Sequence, residues 1–394
     1  MRLTFTDTKE TWSRMLPLTY TRPVADLRVG ILRIHEKWSA CLGADSIAFR
    51  TKDYLKSKFE APSDRTLTIN ANILPTPDLV AKAQKLEDHQ VLVSGEELIA
   101  GFFDPEEEFT TGEKEVILIE NVDSVIYPWD IFRVNGEQIR LDYELLTKNR
   151  KSLPITDPHT VTYGDQIFIE EGAKVKAAIL NAENGPIYIG KDAEVQEGAL
   201  IRGPFALCEH SVVNMGAKIK GDSTVGPYSK VGGEISNSVL QGYSNKGHDG
   251  FLGNSVIGEW CNLGADTNTS NLKNNYAGVK MWDFNDSKFK DTGLQFCGLI
   301  MGDHSKCGIN TMFNTGTTIG ISSNIFGDGF PRNFIPSFSW GGAQGFSTYP
   351  TRKVFETARI VMQRRGIELS PEDESILTAI FDLSAEFRVW EKKK

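Results

Sequence analysis

Along the middle of the chain an aliphatic residue returns at every sixth position: Ile189, Val195, Ile201, Leu207, Val213, Ile219, Val225 and Val231. A second run with the same period follows at Met301, Cys307, Phe313, Ile319 and Ile325. A six-residue period predicts a parallel β-helix, in which each hexapeptide forms one face and its aliphatic side chain points into the coil. Gly, Asp and Asn recur at the turn positions, where they tolerate the positive φ of coil corners. Between the two runs the period weakens. Phe251, Ile257 and Leu263 keep it briefly in a different phase, and residues 273–292 break it altogether. Such a break predicts a loop leaving one face, and loops of this kind carry binding work.

The flanks follow other rhythms. In residues 1 to about 150, Leu3 and Phe5 alternate with polar neighbours as in a strand, segments 46–50, 66–70, 90–94 and 116–120 read as further strands, and 78–86 reads as a helix. Leu27, Ile31, Ile34 and Trp38 recur at helical spacing, with Gly43 as a stop signal. Tyr127-Pro-Trp129-Asp130 opens another helical stretch, and 142–149 reads as one more. This alternation predicts an α/β domain with a mostly parallel sheet. Residues 151–164 carry Pro and Thr and read as a linker. The solenoid then occupies 165–330, and 331–394 combines an aromatic, glycine-rich loop with a helical cap. Ser370-Pro-Glu-Asp-Glu374 supplies an N-cap, a first-turn proline and first-turn acids for a helix running to about Trp390.

Composition narrows the picture. A chain of 394 residues implies two or three domains, and its 40% hydrophobic and 24% charged content is that of a globular protein. The net charge of −9 argues against a general nucleic-acid binder. It leaves room for small anions held by a local arginine cluster. Five cysteines, odd in number and widely spaced, fit a reducing compartment. The N-terminus lacks the apolar stretch of a signal peptide, and no run approaches the roughly 18 apolar residues of a membrane span, so a cytoplasmic location is expected.

Two stretches carry candidate chemistry. The first is Asn245-Lys-Gly-His-Asp-Gly-Phe-Leu-Gly253, where His248 lies between Gly247 and Gly250. An imidazole is the usual general base near neutral pH, and flanking glycines allow close approach of a ligand. The bland alternative is a surface turn histidine. The six histidines form no close metal-binding pair, so a site built from His210, His248 and His304 would require neighbouring subunits. The second stretch holds Arg14, Arg22 and Arg28 on a proline-bearing loop after a strand. Guanidinium groups so placed suit phosphate, whereas the alternative is structural pairing with acids.

The segment Pro17–Leu32 reads Pro-Leu-Thr-Tyr-Thr-Arg-Pro-Val-Ala-Asp-Leu-Arg-Val-Gly-Ile-Leu, and 247–253 reads Gly-His-Asp-Gly-Phe-Leu-Gly with Asn262-Leu-Gly-Ala265 after it. With the domain order, these motifs resemble a divergent branch of the bifunctional N-acetylglucosamine-1-phosphate uridyltransferase/glucosamine-1-phosphate N-acetyltransferase family, over nearly the whole chain. The resemblance implies an α/β nucleotidyltransferase-like domain, a left-handed parallel β-helix with C-terminal helices, and a homotrimer. It implies acetyl-CoA in clefts between subunits, near Gly264 and Ala265. By the same resemblance His248 is the base that accepts a proton from the amino sugar and Asn262 assists it. Asn275, Tyr276 and Lys280 (or Asn271 in the Asn position), with Lys230, bind the sugar phosphate. In the N-terminal domain it implies a nucleoside triphosphate (UTP or dTTP), a sugar-1-phosphate and Mg2+, with Arg14, Arg22 and Arg28 on the phosphates and the metal ligands unassigned.

The chain also departs from the family pattern. Phe251 stands where the family has tyrosine, and no paired lysines precede His248. The N-terminal domain lacks the Gly-x-Gly and Pro-Lys of ordinary sugar nucleotidyltransferases, and Thr68-Ile-Asn-Ala-Asn72 offers asparagine where a metal-binding acid is expected. The main expectation is therefore a bifunctional enzyme making a nucleotide sugar. An enzyme with one activity and a non-catalytic sugar-nucleotide-binding scaffold are the alternatives.

Overall fold

The computed structural model describes residues 1–392. They fall into two compact units, one made of Met1–Leu27 with Leu32–Tyr127, the other of Arg28–Ile31 with everything from Pro128 onward.

The first unit is built on a six-stranded sheet of β1 (Arg2–Thr6), β2 (Ser46–Arg50), β3 (Thr66–Asn70), β4 (Gln90–Ser94), β5 (Glu97–Phe103) and β6 (Glu115–Leu118), in the order β2-β1-β3-β5-β4-β6. The central strand β3 is buried along its whole length, as its Thr-Leu-Thr-Ile-Asn sequence suits. β1 runs parallel to β2 and β3, and β4 parallel to β6. β5 runs antiparallel to both β3 and β4, so the sheet is mixed. A tight Ser94-Gly-Glu-Glu97 hairpin, with Gly95 at φ 60°, causes this. Around the sheet lie α1 (Lys9–Arg14), α2 (Ile34–Leu42) and α3 (Pro77–Ala83). The helical spacing read from Leu27 is realised only from Ile34, because Glu36 caps the backbone N–H of Arg33 and residues 28–31 leave this unit.

In the second unit, residues 128–149 form one helix, α4 (Pro128–Thr147), rather than two. Asn135 Oδ1 accepts from Gly30 N at 2.7 Å and Asp142 Oδ2 accepts from Ile31 N at 2.7 Å. Ile139 packs with Ile31, Ala206 and Cys208. With these contacts the helix belongs to the second compact unit, which resumes at Pro128.

Strands from Val161 onward stack into a parallel solenoid, with one sheet of 13 strands, one of 10 and a separate two-stranded pair. The hexad residues point inward. Ile189, Val195, Leu207, Val213, Val225, Val231, Met301 and Ile319 are all fully buried in one continuous core. An ordinary coil takes 18 residues, as from Val213 to its neighbour Val231. The next takes 15, because Val231 pairs with Lys246. The strands Glu234–Gly242 and Phe251–Glu259 run across two faces without a full corner, which accounts for the short coils. One expectation is corrected here: Leu252, not Phe251, enters the core, while Phe251 is only half-buried.

The break at 273–292 is a loop followed by an antiparallel hairpin, Lys280–Asp283 with Lys288–Asp291. Its Trp282 stacks on Phe334 with ring centroids 4.1 Å apart. At the far end Phe346, on a second hairpin, packs against the core. α5 (Thr351–Gln363) lies beside Lys306 and Ser323, and α6 (Pro371–Leu383) begins with the predicted Ser370 cap, which accepts from Asp373 N. α6 ends at Leu383, short of Trp390, as Arg388 folds back over the Phe381 ring and donates to Phe381 O. No helix among the described residues is long and apolar enough to cross a membrane.

Candidate functional sites

In the first unit the loops after β1 and β3 and the β4–β5 turn enclose a cleft of about 570 Å³. The crevice beyond the C-terminal ends of parallel strands is where such sheets bind ligands. Thr8, Thr11 and Arg14 line one side, Asn70, Asn72, Glu96 and Glu97 another. Of the three arginines expected on phosphate, only Arg14 lies here, and it pairs with Glu10 at 2.8 Å. Arg22 is buried against Asp26, which Arg33 and His35 also contact. Arg28 belongs to the second unit, where its Nε donates to Gln241 O and its backbone N to Gln241 Oε1. Within the first unit, then, Arg14 lines the cleft and Arg22 does not.

The cleft instead holds a cluster of oxygens. Asn70 Nδ2 donates to Glu97 Oε1 at 3.0 Å, and Asn72 Nδ2 to the same oxygen at 3.4 Å. Those bonds orient the amides and leave Asn70 Oδ1 and Asn72 Oδ1, both buried, without a hydrogen-bond partner. Orphaned buried oxygens beside a carboxylate are the donor set of a hard divalent cation. From the sequence Asn70 and Asn72 stood only as a departure from an expected metal-binding acid, with the metal ligands unassigned, and Glu97 drew no reading. It arrives from a neighbouring antiparallel strand that only the β4–β5 hairpin brings alongside. Among the described residues no group of three or more His, Cys, Asp or Glu side chains forms a metal site.

Asp7, at the end of β1, accepts from Val24 N at 3.0 Å and Thr51 Oγ1 at 2.5 Å, tying two cleft loops together. Burial pushes its carboxyl up from 3.8 to about 6. The folded state thus holds this proton more tightly than the unfolded chain. Its ionisation costs stability as pH rises from about 4 to about 6, and the cost is complete above that. Asp7→Asn keeps an acceptor for Val24 N and never ionises. Its stability relative to the parent is expected to improve across that window and then level off, as measured by urea unfolding from pH 4 to 8.

In the second unit His248 is exposed in the corner after the strand Asn245–Lys246. Asn245 pairs with Asn262 in the next coil, which sets Gly247 and His248 beside Gly264 and Ala265 at the same corner. Successive coils lie about 4.8 Å apart. Lys230, Asn245, Asn262 and Lys306 form one ladder of neighbours on the adjoining face. His248, Asn262, Gly264, Ala265 and Lys230 thus share one region of two adjoining surfaces. Asn275 and Tyr276 are exposed in the insertion loop, and Lys280 opens its hairpin. Asn271 is held elsewhere, donating to Asn254 Oδ1 at 2.8 Å. His210 and His304 belong to a different corner, where the rings of His210, Tyr228, Tyr243, Trp260 and His304 stack in a column. Within one chain, then, His248 does not join them. Lys246 was missed as a structural element. It occupies a core position, and its Nζ donates to His248 O at 2.6 Å and Asp249 O at 2.8 Å.

Comparison with known proteins agrees with this architecture. A family model described as sugar nucleotidyl transferase matches residues 3–151. Bifunctional protein GlmU of Methanocaldococcus jannaschii is 30% identical over 193 residues, covering 49% of this chain and 40% of the relative. Bifunctional sugar-1-phosphate nucleotidylyltransferase/acetyltransferase of Sulfurisphaera tokodaii is 28% identical over 162 residues, covering 40% and 37%. GlmU of Methanococcus aeolicus is 36% identical over 92 residues, covering 23% and 22%. The chain spans less than half the length of these curated relatives. Among solved structures, the UDP-N-acetylglucosamine acyltransferase of Arabidopsis aligns at 12% identity over 59% of this chain and 93% of that one, with a TM-score of 0.23. The chain thus resembles GlmU proteins as a divergent relative, with a region that matches the sugar nucleotidyl transferase family model ahead of a parallel β-solenoid.

Proposed function

We propose that the chain is a transferase of sugar-nucleotide synthesis. The solenoid moves an acetyl group from acetyl-CoA to an amino-sugar phosphate, and the first unit moves a nucleotidyl group from UTP or dTTP to a sugar-1-phosphate. The observation that carries the reading is the His248 corner: an exposed imidazole between glycines, one coil from Gly264 and Ala265. In this reading the amine attacks the thioester carbonyl, a C–N bond forms, His248 takes the amine proton, the C–S bond breaks, and the proton passes from His248 to the departing thiolate, which leaves as free CoA thiol. Asn262 orients the histidine or the sugar. Lys230, Asn275, Tyr276 and Lys280 serve the sugar phosphate, and Gly264 and Ala265 leave room for the acetyl group. Apolar side chains exposed along one face, including Val161, Tyr163, Ile179 and Leu200, support the expected homotrimer.

In the first unit, Glu97 with the Oδ1 atoms of Asn70 and Asn72 would hold Mg2+. A bound Mg2+ would neutralise phosphate charge that this cleft, with three glutamates and one arginine already paired to Glu10, does not neutralise itself. Arg14 adds the nearest cationic group. The same charge balance favours a second reading, in which only acetyl transfer survives.

Free-thiol release from acetyl-CoA with glucosamine-1-phosphate, and pyrophosphate release from UTP or dTTP with sugar-1-phosphates, test the two halves separately. Thiol release without pyrophosphate supports the second reading, and neither product favours a scaffold. Glu97→Gln is expected to weaken Mn2+ binding, read by titration calorimetry, by about tenfold or more. Equal affinity would remove Glu97 from the cation site.

A further inference from the structure

At the corner that carries His248, the inside of the solenoid is built differently from its neighbours. In four other coils an aliphatic or thiol core residue is followed four positions later by a small buried one. Val195 precedes Ala199, Val213 precedes Ala217, Leu263 precedes Thr267 and Cys307 precedes Thr311, all buried. In the His248 coil the same two places hold Lys246 and Gly250. Lys246 is wholly buried in a bore lined mainly by apolar side chains. Gly250 has φ +111°, and a Cβ there would lie 2.2 Å from Thr267 O. The larger side chain and the missing one are complementary.

The lysine's head group faces the corner. Its Nζ bridges the carbonyls of His248 and Asp249 at 2.6 and 2.8 Å. Gly247 O accepts from Asn214 Nδ2 at 2.7 Å and Gly250 O from Glu234 N at 3.1 Å. Every carbonyl from 247 to 250 is thereby held. At the next corner the carbonyls are held without a buried charge: Thr267 Oγ1 donates to Gly264 O, Asn310 N to Ala265 O and Asn268 Nδ2 to Asp266 O. Burying an ammonium is expensive, and desolvation lowers this one from 10.5 to about 8. An aliphatic residue, as at Val231 one coil earlier, would fill the same place without that cost.

We infer that Lys246 is a positioning residue for His248, fixing the main chain of the corner from inside the solenoid so that the imidazole is held toward its substrate. The assignment rests on His248 acting as the base in acetyl transfer. Lys246 touches no reacting atom. Its contribution is the placement of the histidine, and a misplacement on the order of 1 Å costs a catalytic group about 100-fold.

The test is Lys246→Met in the full chain, with Lys246→Gln as a partner that retains a shorter donor. The methionine variant is expected to keep the parent's melting temperature or exceed it. It should lose about 100-fold in kcat for thiol release with KM for acetyl-CoA little changed, and show faster hydrogen exchange at the amides of 247–251. Lys246→Gln should recover part of the rate. A folded Lys246→Met with parental kcat overturns the inference, as does a rate lost only in step with melting temperature in both variants. If the parent has no acetyl transfer, the reading of His248 fails by itself. Exchange at 247–251 then decides the lysine's role separately: unchanged protection there overturns the claim that Lys246 fixes the corner.

Discussion

Replacing His248 by alanine is expected to abolish release of free thiol from acetyl-CoA. A positioned general base contributes about 10²–10⁴-fold to a proton transfer, so the loss should fall in that range. His248 is exposed, and truncation of an exposed side chain is expected to change folding stability by no more than about 0.5 kcal/mol. Lost activity in a normally melting protein would then report chemistry. Because the amine must be neutral to attack, His248→Ala should regain part of its rate as pH rises toward the amine's own pKa. Turnover unchanged at neutral pH would remove His248 as the base. Loss confined to KM would recast it as a binding group.

The second large effect is expected inside the bore. Val225 is fully buried, with Leu207 on one neighbouring coil and Leu240 on the other. Val225→Asp would place a carboxyl between two aliphatic layers with no donor designed to meet it. Unsatisfied burial of such a group belongs to the class that costs more than about 4 kcal/mol. Urea unfolding followed by far-ultraviolet circular dichroism should show the solenoid transition displaced by that amount, or soluble protein lost. A shift below about 1 kcal/mol would mean that water reaches this layer. Lys246, in another column of the same bore, shows what a charge needs in order to live there: two carbonyls within hydrogen-bond reach and a glycine that makes room.

The solenoid was legible because its core repeats residue by residue, and sequence periodicity reports that directly. The places where reading failed are those where periodicity was replaced by local geometry. Phe251 sits in phase counted back from Ile257, yet the strand Phe251–Glu259 lacks a full corner and takes only five residues between core positions, so Leu252 points inward instead. Nothing in the residue type of Lys246 suggests the core position that it occupies. In the first unit β5 was missed, and with it both the mixed sheet and the approach of Glu97 to Asn70. That contact spans 27 positions and depends on a hairpin. Arg22 and Arg28 carried the right chemistry for phosphate, but burial committed them to Asp26 and Gln241. His248 could be singled out from its glycines and its family motif. What holds it in place could not.

The 18-residue coil also sets the grain in which this chain can change its length. Removing or duplicating 18 residues between Val195 and Val213, one full circuit of the cross-section, returns every later side chain to the face it already occupies. A change of six or twelve residues keeps the apolar residues inward but moves each to another face, and a number that is not a multiple of six turns apolar layers outward. Descent with insertion or loss is thus quantised along the regular part of the solenoid. The short circuit ending at Lys246 breaks that grain, and the corner beside it cannot be exchanged for a copy of its neighbours.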